Sequence, residues 1–117
     1  MAEIVSVDEF KRSLRLTDTG DAEQDKLTDA ILDGYLAGAE SYIQDAVGLE
    51  LPTFFEDNKA TYKIAVYSLA TAYYQNPSAL TGNNVVRVDL VLNALIAQLR
   101  GRYEVALKKK GDADGSN

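Results

Sequence analysis

Apolar residues recur every three or four positions along much of this chain, which is the spacing of amphipathic α-helices. The longest such stretch runs from Asp21, a helix-capping residue, to Val47, and Gly48 follows where a helix commonly ends. We therefore predict one long amphipathic helix over 21–47. Its recurring apolar or small positions are Leu27, Ile31, Tyr35, Gly38, Tyr42 and Ala46.

Two further helices are predicted on either side of this segment. Ser6 and Glu9 form a capping box at the start of a short helix over 7–14. After a connector over 49–55, which contains Pro52, a helix is predicted over 58–74. That helix is apolar nearly all round, which is typical of a buried, central helix.

The C-terminal helix, predicted over 88–108, has apolar residues on two sides. One side carries the large residues Val88, Val91, Leu92, Leu95, Ile96, Leu99 and Tyr103. The other side carries Leu90, Ala94, Ala97, Gly101 and Val105, which are mostly small. The large side suits the core, whereas the small side suits close contact with another helix of the same or a neighbouring chain. Gly34 and Gly38 of the long helix suit a close helix crossing in the same way.

The predicted fold class is all-α, with about four helices: two long central helices, a short N-terminal helix and a C-terminal helix. Residues 1–110 are predicted as one domain, because 117 residues suffice for a single core. Residues 111–117, which are rich in Gly and Asp, are predicted as a disordered tail.

Cysteine and histidine are both absent from the chain. Disulfides, Cys or His metal sites and Ser-His or Cys-His catalysis are thereby excluded. No spacing of carboxylates singles out an acid and a base, so neither an enzyme, a cofactor nor a metal is predicted. The chain has no long uncharged apolar run and no signal-peptide pattern at its start. We therefore expect no membrane segment, and we expect production in the cytoplasm.

Charge is distributed unevenly along the chain, whose net charge is −6. Residues 1–57 carry fourteen acids and four bases, whereas residues 58–117 carry four acids and eight bases. Two interpretations stay open: a chance distribution over a solvated surface, or an acidic face of one copy that meets a basic face of the next. Head-to-tail contacts of the second kind build rings.

Two charged groups are candidate interaction surfaces. Asp25, Asp29 and Asp33 follow one another at four-residue steps on the long helix. They form either a solvated face or a surface that contacts a neighbour or lines a channel, where it would repel a DNA backbone. The second group is basic and is better suited to a protein partner than to DNA, because the chain is acidic overall. It consists of Arg87, Arg100, Arg102, Lys108, Lys109 and Lys110.

Three segments resemble one known family, in order and spacing. They are the opening Val7-Asp8-Glu9-Phe10-Lys11-Arg12-Ser13-Leu14-Arg15-Leu16 with the acidic turn and Asp25 after it, then Ala39-Glu40-Ser41-Tyr42-Ile43 leading to Val47-Gly48, and finally Tyr73-Tyr74-Gln75-Asn76-Pro77 with Leu92–Arg100. Over about residues 5–103 the chain resembles the head–tail connector, or adaptor, proteins of long-tailed bacteriophages and prophages, which are often described as DNA-packaging proteins. Pro77 stands where that family often has arginine.

The resemblance implies a structural subunit, made in the host cytoplasm, of a ring at the head–tail junction of the virion. The ring would dock on the portal protein, extend the DNA channel and receive the next head-completion or tail protein, with DNA only as passing cargo. The subunit would have no catalytic activity. One alternative is a small DNA-binding packaging regulator, similar to a small terminase subunit. Another is a monomeric helical binding module.

Overall fold

The chain is all-α throughout the residues that the computed structural model describes, 4–75 and 90–115. Its helices are α1 (Val7–Ser13), α2 (Ala22–Val47), α3 (Phe54–Asp57), α4 (Lys59–Gln75) and α5 (Leu90–Gly115). This confirms the predicted fold class. The short helix α3 lies partly within the predicted connector and was not anticipated, and Phe54 at its start is buried.

The predicted caps begin α1 and α2. The hydroxyl of Ser6 accepts the Glu9 backbone N–H at 3.1 Å, and the Asp21 carboxylate accepts the N–H groups of Glu23 and Gln24. The second half of the capping box is not formed, because the Glu9 carboxylate instead accepts the hydroxyl of Tyr67 and pairs with Lys63 on α4. Glu9, which was expected to complete the cap of α1, therefore ties α1 to α4 instead.

The core lies between α2, α4 and α5, each of which packs against the other two. Its largest fully buried side chains come from four helices: Phe10, Leu32, Ile43, Tyr62, Val66, Leu69 and Leu99. Helix α4 contributes many of these and contacts both of its long neighbours, which agrees with its predicted central place. It is nevertheless buried on one side only, since Ile64 and Tyr74 are exposed.

Most of the stripe of α2 that the apolar periodicity singled out is not buried, although Tyr35 of that stripe packs, partly buried, against the core. Leu27 and Ile31 are 63% and 56% exposed, and Tyr42 is about half exposed. The buried stripe is instead formed by Leu32, Leu36, Ala39, Ile43 and Val47. It lies about 140° around the helix from Leu27, at 100° per residue. α2 has two apolar stripes, and the neighbouring helices bury only one of them fully.

Helix α5 buries the large-residue side and exposes the small-residue side. Leu92, Leu99 and Tyr103 are buried, whereas the described residues of the small side, Ala94, Ala97, Gly101 and Val105, are exposed. Val88, Val91 and Leu90 lie outside the described side chains. The helix continues to Gly115, so residues 111–115 are helical where a disordered tail was predicted. One glycine inside a helix costs about 1 kcal/mol relative to alanine, which is too little to end it at Gly111.

Candidate interaction surfaces

Asp25, the first of the three aspartates predicted on α2, stabilises the turn before the helix. Its carboxylate accepts the backbone N–H of Thr19 at 3.0 Å and the Thr19 hydroxyl at 2.9 Å. The backbone hydrogen bond from Thr19 is the largest cause that lowers the pKa of Asp25 below its ordinary value. Asp25 is therefore engaged within its own chain.

Asp29 is also engaged, in an ion pair with α1. The Lys11 ammonium lies 2.9 Å from Asp29 and 2.7 Å from Asp18, and the Lys11 side chain is only 11% exposed. The hydrogen bond to Asp18 and then the one to Asp29 raise the pKa of Lys11. The Lys11 charge also contributes to the lowered pKa of Asp25, so this one cation offsets the repulsion between Asp25 and Asp29. Its ion pair with Asp29 joins α1 to α2. The sequence did not indicate this role of Lys11.

Asp33, the third aspartate, is exposed and lies at a cleft of about 480 Å³. The cleft is bounded by residues 4–7, one side of α2 and the segment 49–56. The hydroxyl of the buried Tyr62 reaches its wall, where it donates to Glu40 and accepts from Gln44, both at 2.9 Å. Burial is the main cause that raises the pKa of this phenol. Sequence reasoning missed the cleft; the only signal was the i, i+4 spacing of Glu40 and Gln44.

The basic residues predicted as a second surface do not all have the same environment in the structure. Arg102 donates to Asn58 and Thr61 at 3.3 and 3.2 Å, so it joins α5 to the start of α4. Arg100 and the three lysines at 108–110 are exposed on α5. Arg87 lies outside the described residues. The structure does not bring the aspartates and these lysines together, because Asp29 is about 27 Å along α2 from its C-terminal end, where α5 contacts Gly48 and Glu50.

Two of the glycines that suggested close helix contacts, Gly34 and Gly101, leave open space in the single chain. A Cβ atom placed on Gly34 or on Gly101 would meet no atom within 4 Å. The small-residue side of α5 therefore does not pack on Gly34 of its own α2. Both positions, together with Leu27, Ile31 and Val105, belong to apolar surface that the chain leaves exposed.

Neither a metal centre nor a membrane segment is found in the described part of the chain. Residues 4–75 and 90–115 contain no cluster of three or more acidic side chains placed to hold a metal ion. None of the helices there combines the length and hydrophobicity that crossing a membrane requires.

Comparison with known proteins gives one match, which spans most of the chain. The model of the family described as phage gp6-like head-tail connector protein matches residues 4–100. No curated protein and no solved structure matches. The matched region includes α1 to α4 and α5 as far as Arg100, and therefore most of the core described above, with Tyr103 outside it. The chain thus belongs to the phage gp6-like head-tail connector protein family, whose members are structural proteins of bacteriophages.

Proposed function

We propose that this chain is a subunit of a homo-oligomeric ring at the head–tail junction of the virion. The ring docks on the portal protein, continues the DNA channel and receives the next head-completion or tail protein. The main observation in support of a ring is the apolar surface that one copy leaves exposed on α2, α4 and α5. Exposed apolar surface of this kind, on several helices of one small domain, is typical of a protein that associates.

The uneven distribution of acidic and basic residues supports contacts between two different surfaces of neighbouring copies. Helix α2 carries six acids and one lysine, whereas α5 carries three consecutive lysines at 108–110, which Asp112 and Asp114 follow. A contact between two different surfaces of identical copies propagates head to tail and closes into a ring when its rotation permits. DNA is cargo in this proposal, since no basic face with stacking aromatic residues is present among the described residues.

The direct test is light scattering coupled to size-exclusion chromatography, at rising subunit concentration and with the portal protein added. We expect the subunit to elute with the portal protein as a defined multimer. A subunit that stays monomeric at every concentration and does not bind portal would contradict the proposal. A salt-dependent gel shift with DNA in place of portal binding would favour the alternative of a DNA-binding packaging regulator.

A further inference from the structure

The cleft beside α2 has apolar walls and acidic groups. Ile4, Leu51 and Phe55 form apolar parts of its wall, while Asp33, Glu40 and Glu56 contribute carboxylates. None of the described residues that line the cleft is Lys or Arg. Its volume of about 480 Å³ is large enough for several side chains of a partner. Apolar walls with a few converging polar groups are typical of binding sites.

The exposed C-terminal part of α5 has the complementary character. Val105, Lys108 and Lys109 are spaced i, i+3 and i+4, so they lie on one side of the helix. Val105 is 54% exposed, and both lysines are exposed. Within the part of the chain that the structure describes, neither lysine takes part in an ion pair. We call these three residues the basic ridge.

The basic ridge lies on the side of α5 that faces away from its own core, because Tyr103, Ala106 and Leu107, which contact the core, lie on the opposite side of the helix. The Tyr103 hydroxyl accepts the backbone N–H of Glu50 at 2.7 Å, and its ring packs edge-on against Phe54. After Tyr103 the helix continues unbroken for about 18 Å to Gly115. The core of the same chain therefore does not cover the basic ridge, which is accessible to a second molecule.

We propose that the basic ridge of one copy docks into the cleft of the next copy in the ring. Val105 then contacts the apolar wall, and Lys108 and Lys109 approach the carboxylates of Asp33 and Glu56. Charge complementarity favours this occupant, because the described lining of the cleft has carboxylates and no Lys or Arg, while the basic ridge presents two exposed lysines. The proposal rests on the ring proposed above, and it identifies one contact between neighbouring subunits.

Charge reversal tests the contact. Lys108→Glu with Lys109→Glu should weaken self-association at least tenfold in sedimentation equilibrium. The matched control, Lys26→Glu with Lys59→Glu, changes the net charge equally at two other exposed lysines and should leave self-association unchanged. Adding Asp33→Lys and Glu56→Lys to the reversed chain should restore association. Equal effects of the two lysine pairs, or no restoration, would overturn the proposal.

Disulfide trapping locates the contact, and the absence of native cysteine makes it specific. Glu56→Cys subunits mixed with Lys109→Cys subunits, with portal present, should form a cross-linked dimer under oxidation. Glu56 and Lys109 are both exposed, so neither substitution removes a core contact. In the control mixture, Ser68→Cys on the exposed side of α4 replaces Glu56→Cys and should give no cross-link.

The outcomes separate this proposal from the ring itself. A ring that assembles without the Glu56–Lys109 cross-link overturns the docking contact and leaves the ring intact. If charge reversal at Lys108 and Lys109 abolishes portal binding but not self-association, the portal protein is the partner of the basic ridge. That result would also overturn the docking contact between subunits. A subunit that never assembles, with or without portal, refutes the ring and the docking contact together.

Discussion

Helix α2 has two apolar faces. The inner face consists of Leu32, Leu36, Ala39, Ile43 and Val47 and lies in the core, whereas the outer face, with Leu27, Ile31 and Tyr42, is exposed. Ile43 on the inner face is fully buried, whereas Ile31 on the outer face is 56% exposed. Both isoleucines lie on the same helix, three turns apart. The difference teaches that helical periodicity identifies apolar faces but does not say which of them a single chain can cover.

The largest expected difference between the two faces is in the cost of truncating a side chain. Ile43→Ala should lower the free energy of unfolding by about 2–5 kcal/mol, because it leaves a cavity in the core. The matched variant Ile31→Ala should change it by less than about 0.5 kcal/mol, as is usual for surface substitutions. Urea denaturation of dilute, monomeric protein measures both. Equal costs would contradict the assignment of the faces.

Two glycines of this region provide the second comparison. Gly48, at the end of α2, has φ 140°, and a Cβ there would lie 2.5 Å from the Tyr103 ring. Gly48→Ala should therefore destabilise the monomer by about 3 kcal/mol, from backbone strain and overpacking together. Gly34→Ala on the outer face should stabilise it by up to about 1 kcal/mol, since only helix propensity changes. Thermal and urea unfolding of the two variants should move in opposite directions.

The third comparison uses two tyrosines. Tyr62→Phe removes the hydroxyl that bonds Glu40 and Gln44, and it should cost about 1–2 kcal/mol because those groups lose a partner. Tyr42→Phe, on the half-exposed stripe, should cost less than about 0.5 kcal/mol. Chemical denaturation under identical conditions compares them. If Tyr42→Phe proves the more costly, the outer face is not free in the monomer.

The smallest expected effect concerns pH and the aspartates of α2. The hydrogen bonds from Thr19 lower the pKa of Asp25 below its ordinary value in the folded chain, so the ionised form favours folding. This stabilisation is present above the unfolded pKa and is lost as the pH falls through the lowered value. Stability should therefore decrease between pH 7 and about pH 3 by less in Asp25→Asn than in the parent chain. Asp45→Asn, at an exposed position of the same helix, serves as the control.

Much of the fold was predictable from the sequence, because the signals are local. Ser6 and Asp21 begin their helices as predicted, and Gly48 ends α2 where its φ of 140° requires glycine. Helix α4 differs from its prediction by one residue at each end. The end of α5 was missed, because a single glycine signals only a small energetic cost and the helix continues past it.

The candidate site was less predictable. Asp25 and Asp29 looked equivalent to Asp33 in the sequence, but Thr19 and Lys11 engage the first two. The sequence does not place Lys11 against Asp29, since that pairing depends on how α1 folds back on α2. The role of Arg102 likewise depends on the approach of α5 to the start of α4. The interaction roles predicted for Asp33, Arg100 and the three lysines stay predictions.

The sequence by itself determined the four longer helices, the residues that cap α1 and α2, one apolar stripe on α2 and the two apolar sides of α5. These properties follow from contacts between residues a few positions apart. Only the tertiary structure decided which face of each helix is covered, which charges are neutralised within the chain, and where a cleft forms. Those outcomes depend on contacts between residues far apart in the chain, as between Tyr62 and Glu40, and no local pattern specifies such contacts.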